Sequence, residues 1–412
     1  MKNLLKKSKQ ASFSFANTSF NQRKKILQDL ALALKNNIPQ ILKENQKDLI
    51  QMDKNDPLYD RLMLNPERIE DMAQACLTIS KQEDVLNQVL EERILESKIE
   101  LKKITVPMGV IACIYEARPN VTIDIAALCL FTGNTVVLRG SSSAQYSNKI
   151  LVKIIHKVLS KNQIDPAIVA QFSLDRNDLK TLFQATEYVD LLIPRGGQNL
   201  INRVRQESLV PTIETGAGVC HTFVDQSADL NQAVKIIINA KTQRPAVCNA
   251  LDCIIAHQDL PEEFFKNLLT ELEKFKVKIY ADSSSFSKFP INQLVNKITE
   301  ENKVFGQEFL GLALSIKTVS NTTAAINHIN TFGSRHSEAI LSQDKNNITE
   351  FFQMIDASSV YANASTRYTD GGCFGLGAEI GISTQKLHAR GPMGASTLTS
   401  YKYILKGQGQ VR

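Results

Sequence analysis

Several absences narrow the possibilities before any motif is read. No stretch approaches the roughly 18 uninterrupted apolar residues of a membrane span, so a helical membrane protein is excluded. Residues 1–12 carry lysines but neither an apolar core nor a small-residue cleavage site; no secretory signal is read there, and a cytoplasmic location is expected. No tail gathers charge of one sign. Lys and Arg total 48 against 42 for Asp and Glu, and the net +6 is too diffuse to indicate nucleic acid. The seven cysteines lie between Cys76 and Cys373 without any Cys-x-x-Cys spacing. Neither a disulfide framework nor a zinc site is signalled, and no metal is expected. There is no internal repeat, and the Gly-x-x-x-x-Gly-Lys phosphate loop is missing.

What remains is ordinary globular composition, 43% hydrophobic and 22% charged over 412 residues, which suggests two or three domains with real cores. The first ~80 residues read as helices, for example residues 21–35 and the Asn65-Pro66 start, and are expected to form a helical cap. Within them Arg23-Lys24-Lys25 is the nearest thing to a basic run. It sits beside the apolar stripe Ile26, Leu27, Leu30 and Leu34, so it reads as a solvated helix face with surface lysines. Residues 94–105 alternate apolar and polar side chains with period two, the pattern of a strand in an arm or hairpin.

Beyond that segment, apolar β-branched runs at 110–114, 135–138 and 189–193 alternate with helical patterns at 123–131 and 146–159. This is the mark of βαβ units on a parallel sheet. A second series runs through 220–224, 228–240, 252–256, 261–275 and 278–280, so a second α/β unit is expected from near Gly216. Residues 370–394 hold seven of the nineteen glycines, together with Lys386, His388 and Arg390, and read as a binding loop.

Cys248 is the cysteine that the residues themselves single out. It lies in a polar stretch, Gln243-Arg244-Pro245-Ala246-Val247-Cys248-Asn249, where a neighbouring arginine favours thiolate. Cys113, Cys129 and Cys253 sit in apolar runs and read as small buried hydrophobes. Arg118, Arg139, Arg195, Arg244, Arg367 and Arg390 lie beside Gly, Pro or Asn in loops or at strand ends, which suggests an anionic substrate or cofactor.

The stretches 115–122 (YEARPNVT), 193–197 (IPRGG), 243–249, 363–372 (NASTRYTDGG) and 383–394 (STQKLHARGPMG) resemble the gamma-glutamyl phosphate reductase family of the aldehyde dehydrogenase superfamily. The likeness runs from about residue 30 to near the C-terminus. It implies an α/β, aldehyde dehydrogenase-like fold, with two three-layer α/β domains plus a β-arm for oligomerisation. Residues 1–215 would be the nucleotide-binding domain with the arm inserted at about 85–105, residues 216–385 the catalytic domain, and residues 386–412 a C-terminal segment contributing to the arm. The arm and a strand at 398–405 would pair across subunits in a homo-oligomer, dimer or tetramer.

The reaction implied is NADPH-dependent reduction of L-glutamate 5-phosphate to L-glutamate 5-semialdehyde, in proline biosynthesis, through a thioester on Cys248. Asn120 matches the superfamily's oxyanion asparagine, a donor whose loss costs about 3 to 4 kcal/mol of transition-state stabilisation. Glu214 stands where hydrolytic members keep a general base, but its surroundings depart from their pattern, which leaves it a weak or positioning role. Arg139, Ser142, Gly196, Gly197 and Glu308 match cofactor positions. Ser142 replaces the glutamate of NAD-specific members and so favours NADPH. Leu310-Gly311 departs from the more polar sequence of many members, which weakens the assignment of Glu308. Arg118, Arg244, Lys386, His388 and Arg390 would hold the anionic substrate. The resemblance leaves open a transient contact with glutamate 5-kinase. A hydrolytic NAD(P)-dependent semialdehyde dehydrogenase is the alternative.

Overall fold

The computed structural model describes residues 1–54, 56, 59–175 and 177–412, which divide into two compact units. The first comprises 1–215, 375–381 and 392–412; the second comprises 216–374 and 382–391. Residues 386–391 thus lie in the second unit, and only the chain from 392 onward joins the first.

The first unit is built on a four-stranded parallel sheet. In chain order its strands are β3 (Val110–Tyr115), β4 (Thr135–Arg139), β5 (Val169–Gln171) and β6 (Leu191–Arg195), arranged β5-β4-β3-β6; β1 and β2 belong to the arm described below. Every residue of β3 is buried, as a parallel strand covered on both faces requires. The helix Pro119–Phe131 between β3 and β4 is apolar almost all round, the pattern of a buried helix. Helix Lys2–Phe15 does not stand apart as a cap. Its Leu5 enters the same core as Val110, Ala112 and Val137, so it belongs to the sheet's helical layer.

One residue of the basic run is not on the surface. Arg23 in helix Phe20–Asn36 is 2% exposed, on the stripe that buries Ile26, Leu27 and Leu30. Its guanidinium donates to the carbonyls of Thr18 (3.2 Å) and Phe131 and pairs with Asp84 at 2.8 Å. Burial of a charge is tolerated only with such complete pairing. Lys24 and Lys25 remain at the surface.

The alternating segment 94–105 covers the turn and most of the second strand of a hairpin. β1 (Val89–Ile94) and β2 (Glu100–Pro107) run antiparallel, joined by a turn in which Lys98 adopts a positive φ of 63°. The strand Thr399–Lys406 pairs along β2 of the same chain, from Thr399 opposite Pro107 to Lys406 opposite Glu100. This three-stranded arm leaves β1 and the C-terminal strand as its edges, and Leu90, Ile94, Tyr401, Tyr403 and Leu405 exposed.

The second unit holds a seven-stranded parallel sheet, β10-β9-β11-β8-β7-β12-β13. Its strands are β7 (Cys220–Val224), β8 (Leu251–His257), β9 (Lys278–Ala281), β10 (Val295–Lys297), β11 (Ala313–Val319), β12 (Ser337–Leu341) and β13 (Ser359–Ala362). Helices Leu230–Thr242 and Glu262–Glu273 cover one face through Ile237, Phe264, Phe265 and Leu268, and helix Thr322–Phe332 covers the other through Ala325, Ile326 and Ile329. Cys253 on β8 is buried, as are Cys113 and Cys129 of the first unit. Among the described residues no helix is long and apolar enough to cross a membrane.

Because Arg23 closes two carbonyls and one carboxylate at once, Arg23→Ala should destabilise the first unit by about 3 kcal/mol. Urea unfolding followed by far-ultraviolet circular dichroism checks this. A shift within about 0.5 kcal/mol, the range of surface substitutions, would show that the pairing contributes nothing.

Candidate active site

In the second unit, Cys248 lies in the loop that links helix Leu230–Thr242 to β8, three residues before the strand begins. It is partly exposed, unlike the buried Cys220 and Cys253, so it combines access with a structured setting. The loop is fixed through its neighbour. The buried amide of Asn249 donates to the carbonyl of Thr369 at 2.9 Å, and the Asn249 carbonyl accepts from the Thr366 hydroxyl at 2.8 Å. The Arg367 guanidinium donates to the Asn249 side-chain oxygen and, at 3.0 Å, to that of Gln243.

Arg367 is therefore the cation built into the Cys248 loop. Burial pulls its own pKa down, Asp370 pulls it up, Arg244 pulls it down and Cys248 pulls it up. A positive charge so placed favours the thiolate, the form that attacks. The sequence pointed to Arg367 only as one of six loop arginines. Arg244 lies in the same loop and is exposed.

The extended segment before β7 lies against the loop from the other side. A Cβ on Gly218 would overlap the Cys248 carbonyl oxygen, so only glycine fits. The Gly218 N–H donates to Glu308 Oε1 at 3.0 Å, and the Cys220 thiol donates to the Cys248 carbonyl at 3.2 Å. Behind them Lys241 and Asp252 form a buried pair at 3.3 Å, with burial raising Asp252 to about 6 and lowering Lys241.

Lys386, His388 and Arg390 lie in the second unit's segment 382–391. Lys386 Nζ and Arg390 Nη2 both contact Asp356, at 2.9 and 2.7 Å, with Arg335 Nε at 3.6 Å from the same carboxylate. The Lys386 and Arg390 bonds hold that carboxyl below its usual range. His388 is exposed.

In the first unit, Asn120 occupies the first turn of helix Pro119–Phe131, with Arg118 as the residue before it. The Asn120 amide is exposed and donates to Asp124 Oδ2 at 3.0 Å, one helical turn on. Desolvation lifts the Asp124 carboxyl to about 7, against the pull of Asn120 and Arg195, with Glu379 adding to the rise. Glu214 is buried and engaged by Arg205, Nε to Oε1 at 2.9 Å with a second bond from Nη2 to Oε2.

The cofactor candidates of this unit lie at the C-terminal ends of its parallel strands, where open α/β sheets bind ligands. Arg139 ends β4 and donates to the Leu174 carbonyl at 3.2 Å, and Ser142 is exposed in the short turn that follows. After β6, Gly196 and Gly197 lead into helix Gln198–Glu207. The Gly197 N–H donates to Glu116 Oε2 at 3.0 Å, and a Cβ on Gly196 would strike the Glu116 carboxyl. A backbone donor at a helix N-terminus, already holding a carboxylate, fits the pyrophosphate of a dinucleotide.

A parallel α/β unit with anion-binding turns and another with a positioned thiol define an oxidoreductase of the aldehyde dehydrogenase type. The aldehyde dehydrogenase family model matches residues 1–286. Gamma-glutamyl phosphate reductases from Legionella pneumophila (strain Corby) and Chlorobium phaeobacteroides (strain BS1) are 48% and 45% identical to this chain. The alignments cover 100% and 99% of the chain and 98% of each relative. The crystal structure of the gamma-glutamyl phosphate reductase from Thermotoga maritima superposes with a TM-score of 0.95 at 40% identity, covering 100% of this chain and 99% of that one. The chain belongs to the gamma-glutamyl phosphate reductase family, and as an aldehyde dehydrogenase-type enzyme it works with a nicotinamide cofactor.

Two measurements test the local electrostatics. Arg367→Ala should slow alkylation of Cys248 by iodoacetamide at pH 7 by about 3- to 10-fold, with Arg367→Lys recovering part of the rate; equal rates in all three proteins would remove Arg367 from thiol activation. For Asp124, the folded chain keeps a proton that the unfolded chain releases near 3.8. The associated stability is present in full below that value and lost as pH rises towards 7, with a limiting slope of about 1.4 kcal/mol per pH unit. The melting temperature of the parent minus that of Asp124→Asn should therefore fall between pH 5 and 8, and a constant difference would contradict the raised carboxyl.

Proposed function

We propose that the chain reduces L-glutamate 5-phosphate to L-glutamate 5-semialdehyde and phosphate with NADPH, through a thioester on Cys248. The observation that carries the reading is the partly exposed Cys248, held by Asn249 and Arg367, in a chain akin over its full length to gamma-glutamyl phosphate reductases.

The Cys248 thiolate attacks the acyl carbon, and the C–O bond to phosphate breaks with its electron pair leaving on phosphate. The Cys248 backbone N–H and the Asn120 amide are the donors assigned to the oxyanion. When bound, the nicotinamide cofactor supplies the hydride that takes the thioester to the aldehyde level. Cys248 then leaves as thiolate and is ready for the next turnover. Arg118, Arg244, Lys386, His388 and Arg390 are assigned to the phosphate and the amino-acid carboxylate, whose negative charges the Arg and Lys side chains match. Glu308, on the Gly218 N–H, is assigned to the cofactor's ribose.

Phosphate is already a good leaving group, and the acyl phosphate needs no water-activating base. Engagement of Glu214 by Arg205 supports this over the hydrolytic reading, in which that carboxylate would have to take a proton from water. Ser142 beyond Arg139 supports NADPH over NADH, because no carboxylate stands there to repel a 2′-phosphate. The open edges and exposed apolar residues of the arm support a homo-oligomer in which arms pair between subunits.

The reaction run backwards tests the reading. Glutamate 5-semialdehyde, phosphate and NADP⁺ should yield reduced nicotinamide only when phosphate is present, at least about 10-fold faster than with NAD⁺. The Cys248→Ser variant should give none. Equal rates without phosphate would make water the acceptor and overturn the proposal, while loss of the NADP⁺ preference would overturn only its cofactor part.

A further inference from the structure

The second unit contains a buried constellation that the proposed chemistry does not use. In the register of the sheet, His221 on β7 lies directly opposite Cys253 on β8 and Glu338 on β12, so three adjacent parallel strands present these side chains side by side. His328, from helix Thr322–Phe332, meets the row. Its ring lies edge-on to His221 at 5.8 Å between centroids, and its Nε2 is 3.9 Å from Cys253 Sγ. One donor atom each from His221, Cys253 and His328 falls within 4.8 Å of the others, and all three residues are buried.

The hydrogen bonding identifies which His221 atom is available. Glu338 Oε2 accepts from the His221 backbone N–H at 2.7 Å and lies 3.0 Å from its Nδ1. A carboxylate there places the ring proton on Nδ1 and leaves the lone pair on Nε2. That Nε2 is buried and has no hydrogen-bond partner among the described residues, an arrangement that is costly when nothing offsets it. A carboxylate orienting the far nitrogen of an imidazole is the second-sphere arrangement of metal-bound histidine. The rings of Phe305 and Phe332, 4.8 and 4.7 Å from that of His328, close the apolar surround.

We propose that His221 Nε2, Cys253 Sγ and His328 form a structural site for a zinc-class divalent transition metal, oriented by Glu338. Two imidazoles and a thiolate are the donor set of zinc or cobalt and not of magnesium or calcium. On binding, the Cys253 thiol proton passes to solvent, and the three donors draw in to the roughly 2.0 to 2.3 Å bonds that zinc makes with nitrogen and sulfur. The ion ties β7, β8 and helix Thr322–Phe332 together within one unit. Its ligands come from three elements 32 and 75 residues apart, which is why no spacing in the sequence announces it.

The test is titration of the full-length, chelator-treated chain with Co²⁺, in a Cys248→Ser, Cys373→Ser background that removes the two accessible thiols. One Co²⁺ per chain should bind, with a thiolate-to-cobalt charge-transfer band. Cys253→Ala should abolish the charge-transfer band, and Glu338→Gln should weaken affinity by about 10- to 100-fold. Should Cys253→Ala fail to fold, zinc content of the parent chain decides the matter, one equivalent by elemental analysis supporting the site. No bound metal in the parent, or a band that survives Cys253→Ala, would overturn it.

Discussion

The Cys248 loop depends on one constraint, that a thiol must be held in place without being covered. A cysteine inside a strand is immobile but buried, as Cys220 and Cys253 are; one on a free loop is accessible but poorly aimed. Here the neighbour is fixed in place of the thiol. Asn249 is buried and makes its hydrogen bonds to the turn 366–369, and Gly218 abuts the Cys248 carbonyl on the other side, so the backbone is fixed while the sulfur stays partly exposed. The surrounding sheet follows from this need, because β8 continues directly from the loop and β7 directly from the Gly218 segment. Neighbouring parallel strands thereby convert register into the aim of one side chain.

Charge in this protein is distributed by the same logic. Arg23, Lys241 and Glu214 are buried and each meets an opposite charge, as burial demands. Lys386 and Arg390 share Asp356, a carboxylate that an incoming anion would have to compete with. This keeps two cations close together at the cost of partial neutralisation. Arg367 is different, since its hydrogen bonds go to neutral amide oxygens, and its charge acts on both Asp370 and the Cys248 thiol.

Both α/β series were legible in the sequence because the fold is carried by buried parallel strands, whose apolar runs are strong local signals; β3, β4, β7 and β8 lie where those runs stand. The hairpin tip was not, because the left-handed position is taken by Lys98 and carries no glycine to mark it. The burial of Arg23 was not legible, because charge suggests a surface, whereas its position on the helix, three residues before Ile26, is an apolar one. Cys248 stood out by the polarity of its neighbours, which is a local property. Its partners Arg367 and Gly218, and the Arg205 that engages Glu214, are fixed by tertiary contact, which local sequence pattern does not encode.

The state of Glu214 bears on how one architecture serves two chemistries. A hydrolytic dehydrogenase must deliver water to a thioester, so it needs a carboxylate free to accept a proton, and a bidentate arginine opposes that by occupying both carboxyl oxygens. A reductase working on an acyl phosphate has the opposite requirement, because water reaching the thioester returns glutamate and wastes the activated substrate. Glu214, buried in the first unit with both carboxyl oxygens on Arg205, is in keeping with that requirement. The divergence between the two reactions then lies less in what attacks the substrate than in what is prevented from following it.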